Sequence, residues 1–140
     1  MRRLARLNAP AVLARLPDFV AAASESARAG GLGPRKVGSV ELAVEEAVTN
    51  ICKYAGQDQP AEIALACFAD DTLFAVEISD DGKPFDMTAQ PDPDVTAGLE
   101  QRPLGGLGVF LITKAADAVR YESRDGRNRL RLEFRLSSRA

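Results

Sequence analysis

Between Val37 and Ala55 the apolar residues Val37, Val40, Val44, Ala47, Val48, Ile51 and Ala55 return at steps of three and four, and Gly56 follows as a stop. A period near 3.6 lines these side chains along one stripe, so the segment from Pro34 onward reads as a long amphipathic helix. Such a stripe has to be covered by another apolar surface, and the sequence downstream supplies one. Ile63, Leu65 and Cys67 alternate with Glu62, Ala64 and Ala66; after a turn at Asp70-Asp71, Phe74, Val76 and Ile78 alternate up to Asp80. That period of two is the signature of an antiparallel hairpin. A second hairpin runs from Val119 and Tyr121 through the turn Asp125-Gly126-Arg127 into Leu130, Leu132, Phe134 and Leu136, which alternate with Arg129, Arg131, Glu133 and Arg135. Ahead of the long helix, Arg3 to Leu7 reads as a short strand. Pro17 to Ala29 reads as a helix with proline in its first turn and Gly30-Gly31 past its end. Gly106 to Ala116 is apolar nearly all round, as in a helix buried on several sides. The expected fold class is α+β: a two-layer α/β sandwich whose mixed, mostly antiparallel sheet is covered on one face by helices.

At 140 residues the chain is expected to form one domain over residues 1–140. It contains no histidine, which excludes Ser-His-Asp triads, Cys-His nucleophiles, histidine metal sites and a phosphohistidine on this chain. A formal net charge of −2 provides no overall cationic field for nucleic acid or an anionic membrane. The two cysteines, Cys52 and Cys67, lie in amphipathic segments and read as reduced, half-buried thiols. Ala9 to Phe19 is interrupted by Pro10, Arg15, Pro17 and Asp18, so it forms neither a signal core nor a membrane span. A soluble protein of the reducing cytoplasm is expected. Met87 to Leu104 carries Pro91, Pro93 and Pro103 with Asp92, Asp94 and Glu100, shows neither period, and reads as a long loop of the kind that is usually functional or mobile.

Three segments are equipped for chemistry. On the long helix Glu46 and Asn50 stand four residues apart and therefore share a face. A carboxylate there suits general-base work on a hydroxyl or a water, and an amide oxygen is a hard neutral ligand for Mg²⁺ that also carries phosphate. Taken alone, the pair more often describes a solvated helix face. The second segment is Asp80-Asp81-Gly82-Lys83-Pro84-Phe85-Asp86. Here a carboxylate at a strand end accepts an exocyclic amine proton, Gly82 lets a flat ring approach the backbone, and Pro84-Phe85 walls an adenine-sized pocket. Alone, Asp-Gly is more often a plain turn. The third is Gly105-Gly106-Leu107-Gly108-Val109-Phe110-Leu111-Ile112, where exposed N–H groups at a helix start bind anions. It is neither a Walker A loop nor a dinucleotide fingerprint, and its plain alternative is a flexible entry into a buried helix.

In this order, Glu46 to Asn50, Asp80 to Asp86 and Gly105 to Ile112 resemble the N, G1 and G2 boxes of the GHKL ATPase/kinase superfamily. In particular they resemble its small stand-alone branch, the RsbW-like anti-sigma factor serine kinases. The resemblance runs from about Leu13 to the terminal hairpin and implies the Bergerat ATP-binding fold. It implies ATP or ADP with Mg²⁺ as cofactors, Asn50 on the metal, Glu46 activating a serine hydroxyl or water, and Asp80 on the adenine amine beside Gly82. Gly106 and Gly108 would hinge a mobile ATP lid over residues 87–104 and help bind phosphate, and Arg102 is the nearest lid arginine. The implied function is an ATP-dependent protein serine kinase and anti-sigma factor. It would phosphorylate a STAS-domain anti-anti-sigma protein and sequester a sigma factor, as a homodimer that binds neither nucleic acid nor membrane.

The sequence departs from that branch at Tyr54, where histidine is usual, and around Gly56-Gln57, where an aromatic is usual. A second function stays open on these residues: a non-catalytic nucleotide-sensing module that binds ATP or ADP and switches protein partners without phosphotransfer. A detached histidine-kinase ATPase is weakened by the absence of histidine and of a helical dimerisation segment. Arg120 to Arg139 holds seven arginines against Glu122, Asp125 and Glu133, which reads first as a solvated edge strand protected by charge and second as a face for an acidic partner. Lys53 reads as a helix-end cation.

Overall fold

The computed structural model describes residues 1–54, 59–84, 112 and 114–136. In chain order these form β1 (Arg2–Pro10), a single 3-10 turn (Leu13–Arg15), α1 (Leu16–Ala29), α2 (Pro34–Tyr54), β2 (Glu62–Ala69), β3 (Leu73–Asp80), β4 (Ala118–Arg124) and β5 (Arg127–Arg135). The strands make one sheet in the order β1-β2-β3-β5-β4. Every pairing among them is antiparallel, where the sequence suggested a mixed, mostly antiparallel sheet.

Each expected element that falls among the described residues is present, with boundaries set by pairing; the helix expected over Gly106 to Ala116 lies mostly outside them. The first strand extends past Leu7 to Pro10, because its residues pair with β2 as far as Pro10 opposite Glu62. Proline tolerates this place because β1 is an edge strand. Proline also lies in the first turn of α1, and Gly31 follows that helix at φ 103°, a left-handed conformation in which any side chain would be strained. The second hairpin turns on two residues, Asp125 at φ 54° and Gly126 at φ 76°; positive φ at both central positions matches the twist of the flanking strands. In the first hairpin the Asp70 carboxylate accepts the backbone N–H groups of Thr72 and Leu73, each at 2.8 Å, and closes the turn.

The predicted stripe of α2 is the centre of the core. Val37, Val40, Val44, Ala47, Val48 and Ile51 are all buried. They join Phe19, Ala23 and Ala27 of α1 and the inward residues of β2, β3 and β5 in one apolar cluster. Cys67 faces this core from β2, and burial pushes its thiol up to about 11 against a hydrogen bond with Ser26. The other sheet face carries mostly partly exposed residues in its central strands. There Arg131 of β5 forms ion pairs of 2.8 Å with its cross-strand neighbour Glu77 and with Glu133. The arginine-rich end of the chain is therefore an edge strand only in β4. β5 lies inside the sheet, and its arginines line this other face.

One polar tie closes the sandwich at the start of α2. Lys36 Nζ donates to the Arg135 carbonyl and sits 3.6 Å from Asp117, whose carboxylate accepts the Arg135 N–H at 2.7 Å. That backbone hydrogen bond, helped by the Lys36 charge, holds the Asp117 carboxyl below its ordinary value.

A lowered folded-state pKa stabilises above the unfolded value, about 4, and the contribution is lost as pH falls through the folded value. Wild type should therefore exceed Asp117→Asn in urea midpoint at pH 7, and the gap should close in acid; a gap independent of pH would contradict this assignment. The core thiol gives a second expectation. In the native protein Cys52, half-buried, should react with iodoacetamide well before Cys67, which should label only as fast as the chain unfolds, read by mass spectrometry.

Candidate functional site

Five polar residues are buried among the described residues: Ser24, Ser26, Asn50, Asp80 and Asn128. The two serines have local uses, Ser24 donating to Glu41 across the helix pair at 3.0 Å and Ser26 hydrogen-bonding Cys67. The other three are unusual, because polar groups inside an apolar layer cost free energy unless they are paired or serve a ligand.

Asp80 ends β3 in the same phase as Val76 and Ile78, so it points into the space between sheet and helices and is only 5% exposed. Its Oδ1 accepts the Gly82 N–H and the Asn128 Nδ2, both at 2.9 Å. Asn128 is the register partner of Asp80 on β5, and its Nδ2 also donates to the Gly82 carbonyl at 3.0 Å. Asp80 Oδ2 has no hydrogen-bond partner among the described residues. The predicted Asp80–Gly82 pair is thus brought together, with Asn128 as a third member.

Asn128 was not among the sequence-predicted site residues. The signal was there: it occupies the inward phase of β5 shared by Leu130, Leu132 and Phe134, where an amide breaks an apolar alternation.

Asn50 lies in the last turns of α2 on its inward side, 3% exposed. Its amide nitrogen is buried without a hydrogen-bond partner among the described residues. Glu46, one turn earlier, is half-buried. The helix pair and the Asp80 cluster share no hydrogen bond among the described residues. They are tethered nonetheless: the chain leaves α2 at Tyr54 and enters β2 at Glu62, and the next residue, Ile63, pairs with Asp80. The Asp81 carboxylate also accepts the Glu62 N–H at 2.8 Å, which binds the segment after Asp80 to the start of β2. Arg102, Gly106, Gly108 and the whole segment 87–104 lie outside the described residues, as does the Tyr54 side chain.

This arrangement suits a Mg²⁺-nucleotide in its donor chemistry. Among the described residues no cluster of three or more His, Cys, Asp or Glu side chains is poised to hold a metal. A divalent ion here would therefore take most of its ligands from phosphate and water, which is the habit of Mg²⁺. The Asn50 amide fits such an ion: it is buried, neutral and incompletely bonded, with an oxygen for the metal and N–H groups for phosphate oxygens.

An antiparallel sheet covered by two helices, with a buried carboxylate at one strand end and an open amide on the longer helix, makes an α+β sandwich. The histidine kinase-like ATPase domain family matches residues 9–134, and the chain belongs to that family. Within it the chain is RsbW-like. It is 30% identical over 114 residues to the serine-protein kinase RsbW of Listeria monocytogenes serotype 4a, covering 74% of this chain and 72% of that one. To the protein of the same name from Bacillus cereus it is 28% identical over 91 residues, covering 62% and 57%. Among solved structures, one of the RsbU and RsbW domains of a Mycobacterium tuberculosis protein matches with TM-score 0.65 at 18% identity, covering 98% of this chain and 34% of that one. This chain thus spans about a third of that structure. The SiaB–SiaC complex of Pseudomonas aeruginosa matches with TM-score 0.62 at 21% identity, covering 95% and 90%. These two likenesses show the fold.

The open amide has an energetic consequence. Truncating Asn50 removes packing but also removes a buried donor that lacks a partner, a group that costs about 1–3 kcal/mol. Asn50→Ala without nucleotide should therefore unfold within about 1 kcal/mol of wild type, whereas Ile51→Ala, next in sequence and apolar, should lose about 2–5 kcal/mol in urea titrations. Equal losses would mean that Asn50 is ordinary core.

Proposed function

We propose that this chain is an ATP-dependent protein serine kinase that doubles as an anti-sigma factor. The observation that carries the reading is the burial of Asp80 and of the incompletely bonded Asn50 on the inner faces of two facing layers, in a member of the histidine kinase-like ATPase family. The Asp80 Oδ2 is an acceptor for the 6-amino group of adenine, and Gly82 leaves room for the ring. Asn50 holds the phosphate end, where Mg²⁺ supplies charge neutralisation. Gly106 and Gly108, by the resemblance of their segment to a phosphate-binding box, contribute backbone N–H groups, and Arg102 is the accompanying cation.

The reaction is in-line transfer. Glu46 takes the proton of a serine hydroxyl as that oxygen bonds to the γ-phosphorus, and the bond to the bridging oxygen breaks as ADP leaves. Positioning and charge neutralisation carry most of the rate, so the chain needs no further nucleophile. The serine belongs to a STAS-domain anti-anti-sigma protein, and the alternative partner is a sigma factor. The curated relatives bear the name serine-protein kinase, which supports this reading, and the solved SiaB–SiaC neighbour is itself a complex with a partner. The kinase works as a cytoplasmic homodimer; no described helix is long and apolar enough to cross a membrane.

Thermal unfolding tests the site first. Mg-ADP at a hundredfold excess over its dissociation constant should stabilise wild type by about 2.7 kcal/mol. Asn50→Ala should lose most of that gain; no stabilisation of wild type at millimolar nucleotide would overturn the nucleotide reading. With the STAS protein present, Glu46→Ala should slow transfer of labelled γ-phosphate by about 10²–10⁴-fold while still binding ADP. Transfer at the wild-type rate would remove Glu46 as the base. ADP binding with no phosphate on serine, even in wild type, would favour partner switching without catalysis.

A further inference from the structure

Asn128 has used its full hydrogen-bonding capacity. Its two N–H groups go to Asp80 Oδ1 at 2.9 Å and to the Gly82 carbonyl at 3.0 Å. Its oxygen accepts the Ser123 hydroxyl at 2.8 Å and the Tyr121 hydroxyl at 3.2 Å. A primary amide offers two donors and two lone pairs, so nothing is left over. Its orientation is also determined, because Asp80 Oδ1 and the Gly82 carbonyl are both acceptors in these contacts. Turning the amide over would set its oxygen against both of them, inside a region where Asn128 is 4% exposed.

The register explains how these groups meet. Asp80 faces Asn128 across β3 and β5, and Asn128 faces Ser123 across β5 and β4. Three neighbouring strands thus build a relay that runs from the hydroxyl of Ser123, an exposed residue, to the buried carboxylate. The relay saturates one oxygen of Asp80 and leaves the other as an acceptor. An acceptor fixed in place discriminates by hydrogen-bond polarity: a 6-aminopurine donates to it, whereas a 6-oxopurine presents another acceptor.

We infer that Asn128 is the positioning residue that aims the Asp80 carboxylate, with Ser123 and Tyr121 behind it, and so sets the preference for adenine over 6-oxopurine nucleotides. This rests on the nucleotide reading of Asp80. Asn128 itself does not touch the base.

The test compares ADP with inosine diphosphate, which replaces the 6-amino group by oxygen, using calorimetric titration of the full chain with Mg²⁺. Wild type should prefer ADP by about 100-fold, the scale of a buried acceptor left facing another acceptor. Asn128→Leu, close in size but unable to donate, should weaken ADP by about tenfold and inosine diphosphate by less than about threefold, so that the preference falls from about 100-fold to about 10- to 30-fold. A merely structural role would weaken both nucleotides alike. Ser123→Ala, at an exposed residue, should move the preference in the same direction by a smaller factor, and it carries the test if Asn128→Leu does not fold. An unchanged preference in Ser123→Ala together with either an unchanged preference or parallel losses in Asn128→Leu overturns the inference. Asp80→Asn separates this from failure of the underlying reading: if it leaves the preference untouched, the adenine assignment of Asp80 falls and the role of Asn128 with it.

Discussion

Among the described residues helices cover one face of the sheet, and the apolar stripe of α2 is the larger part of that cover. Val40, Val44, Ala47 and Val48 are completely buried, so the longest helix is pressed against the other elements over most of its length. At about 25 cal/mol per Å² of apolar surface removed from water, this contact together with that of α1 dominates the favourable side of folding. The other face is free of that duty. It carries charge instead, with Arg131, Glu77 and Glu133 laid across β3 and β5. Such largely buried pairs are a weak source of stability, because desolvation offsets their attraction, but they keep the sheet from presenting an apolar surface.

Against this apolar interface, the buried polar residues divide into two kinds. Ser24, Ser26 and Asn128 have their hydrogen bonds within the protein, and those bonds recover what desolvation costs. Asn50 is different, since its amide nitrogen is enclosed without a partner among the described residues. Evolution retains an unfavourable group of that sort most readily where something else uses it. The same asymmetry applies to Asp80, one oxygen of which is fully engaged while the other has no partner among the described residues. A site built from half-satisfied groups in a rigid frame is preorganised: the cost of burying them has been met by the core before any ligand arrives.

Much of the architecture was legible in periodicity. The α2 stripe, the two alternating hairpins, the Asp70 and Asp125-Gly126 turns and the proline at the start of α1 all register local rules, and local rules act within a few residues. The edge assignment of the arginine-rich end was not legible. Alternation shows that β5 has one wet face, but not that β4 lies outside it and β3 on its other side. The length of β1 was set by pairing with β2, a partner more than fifty residues away, which its own sequence does not express.

The sequence by itself determined the elements, the face each one buries and the polar residues Glu46, Asn50, Asp80 and Gly82 that its motifs single out, because residue type and spacing act through the chain's own geometry. Tertiary structure decided what those residues meet. Asp80 and Asn128 are 48 positions apart, and only the antiparallel register of β3 and β5 sets them opposite each other. Burial turned that juxtaposition into chemistry, since a hydrogen bond withdrawn from water fixes the direction of a carboxylate that solvent would otherwise leave free to turn.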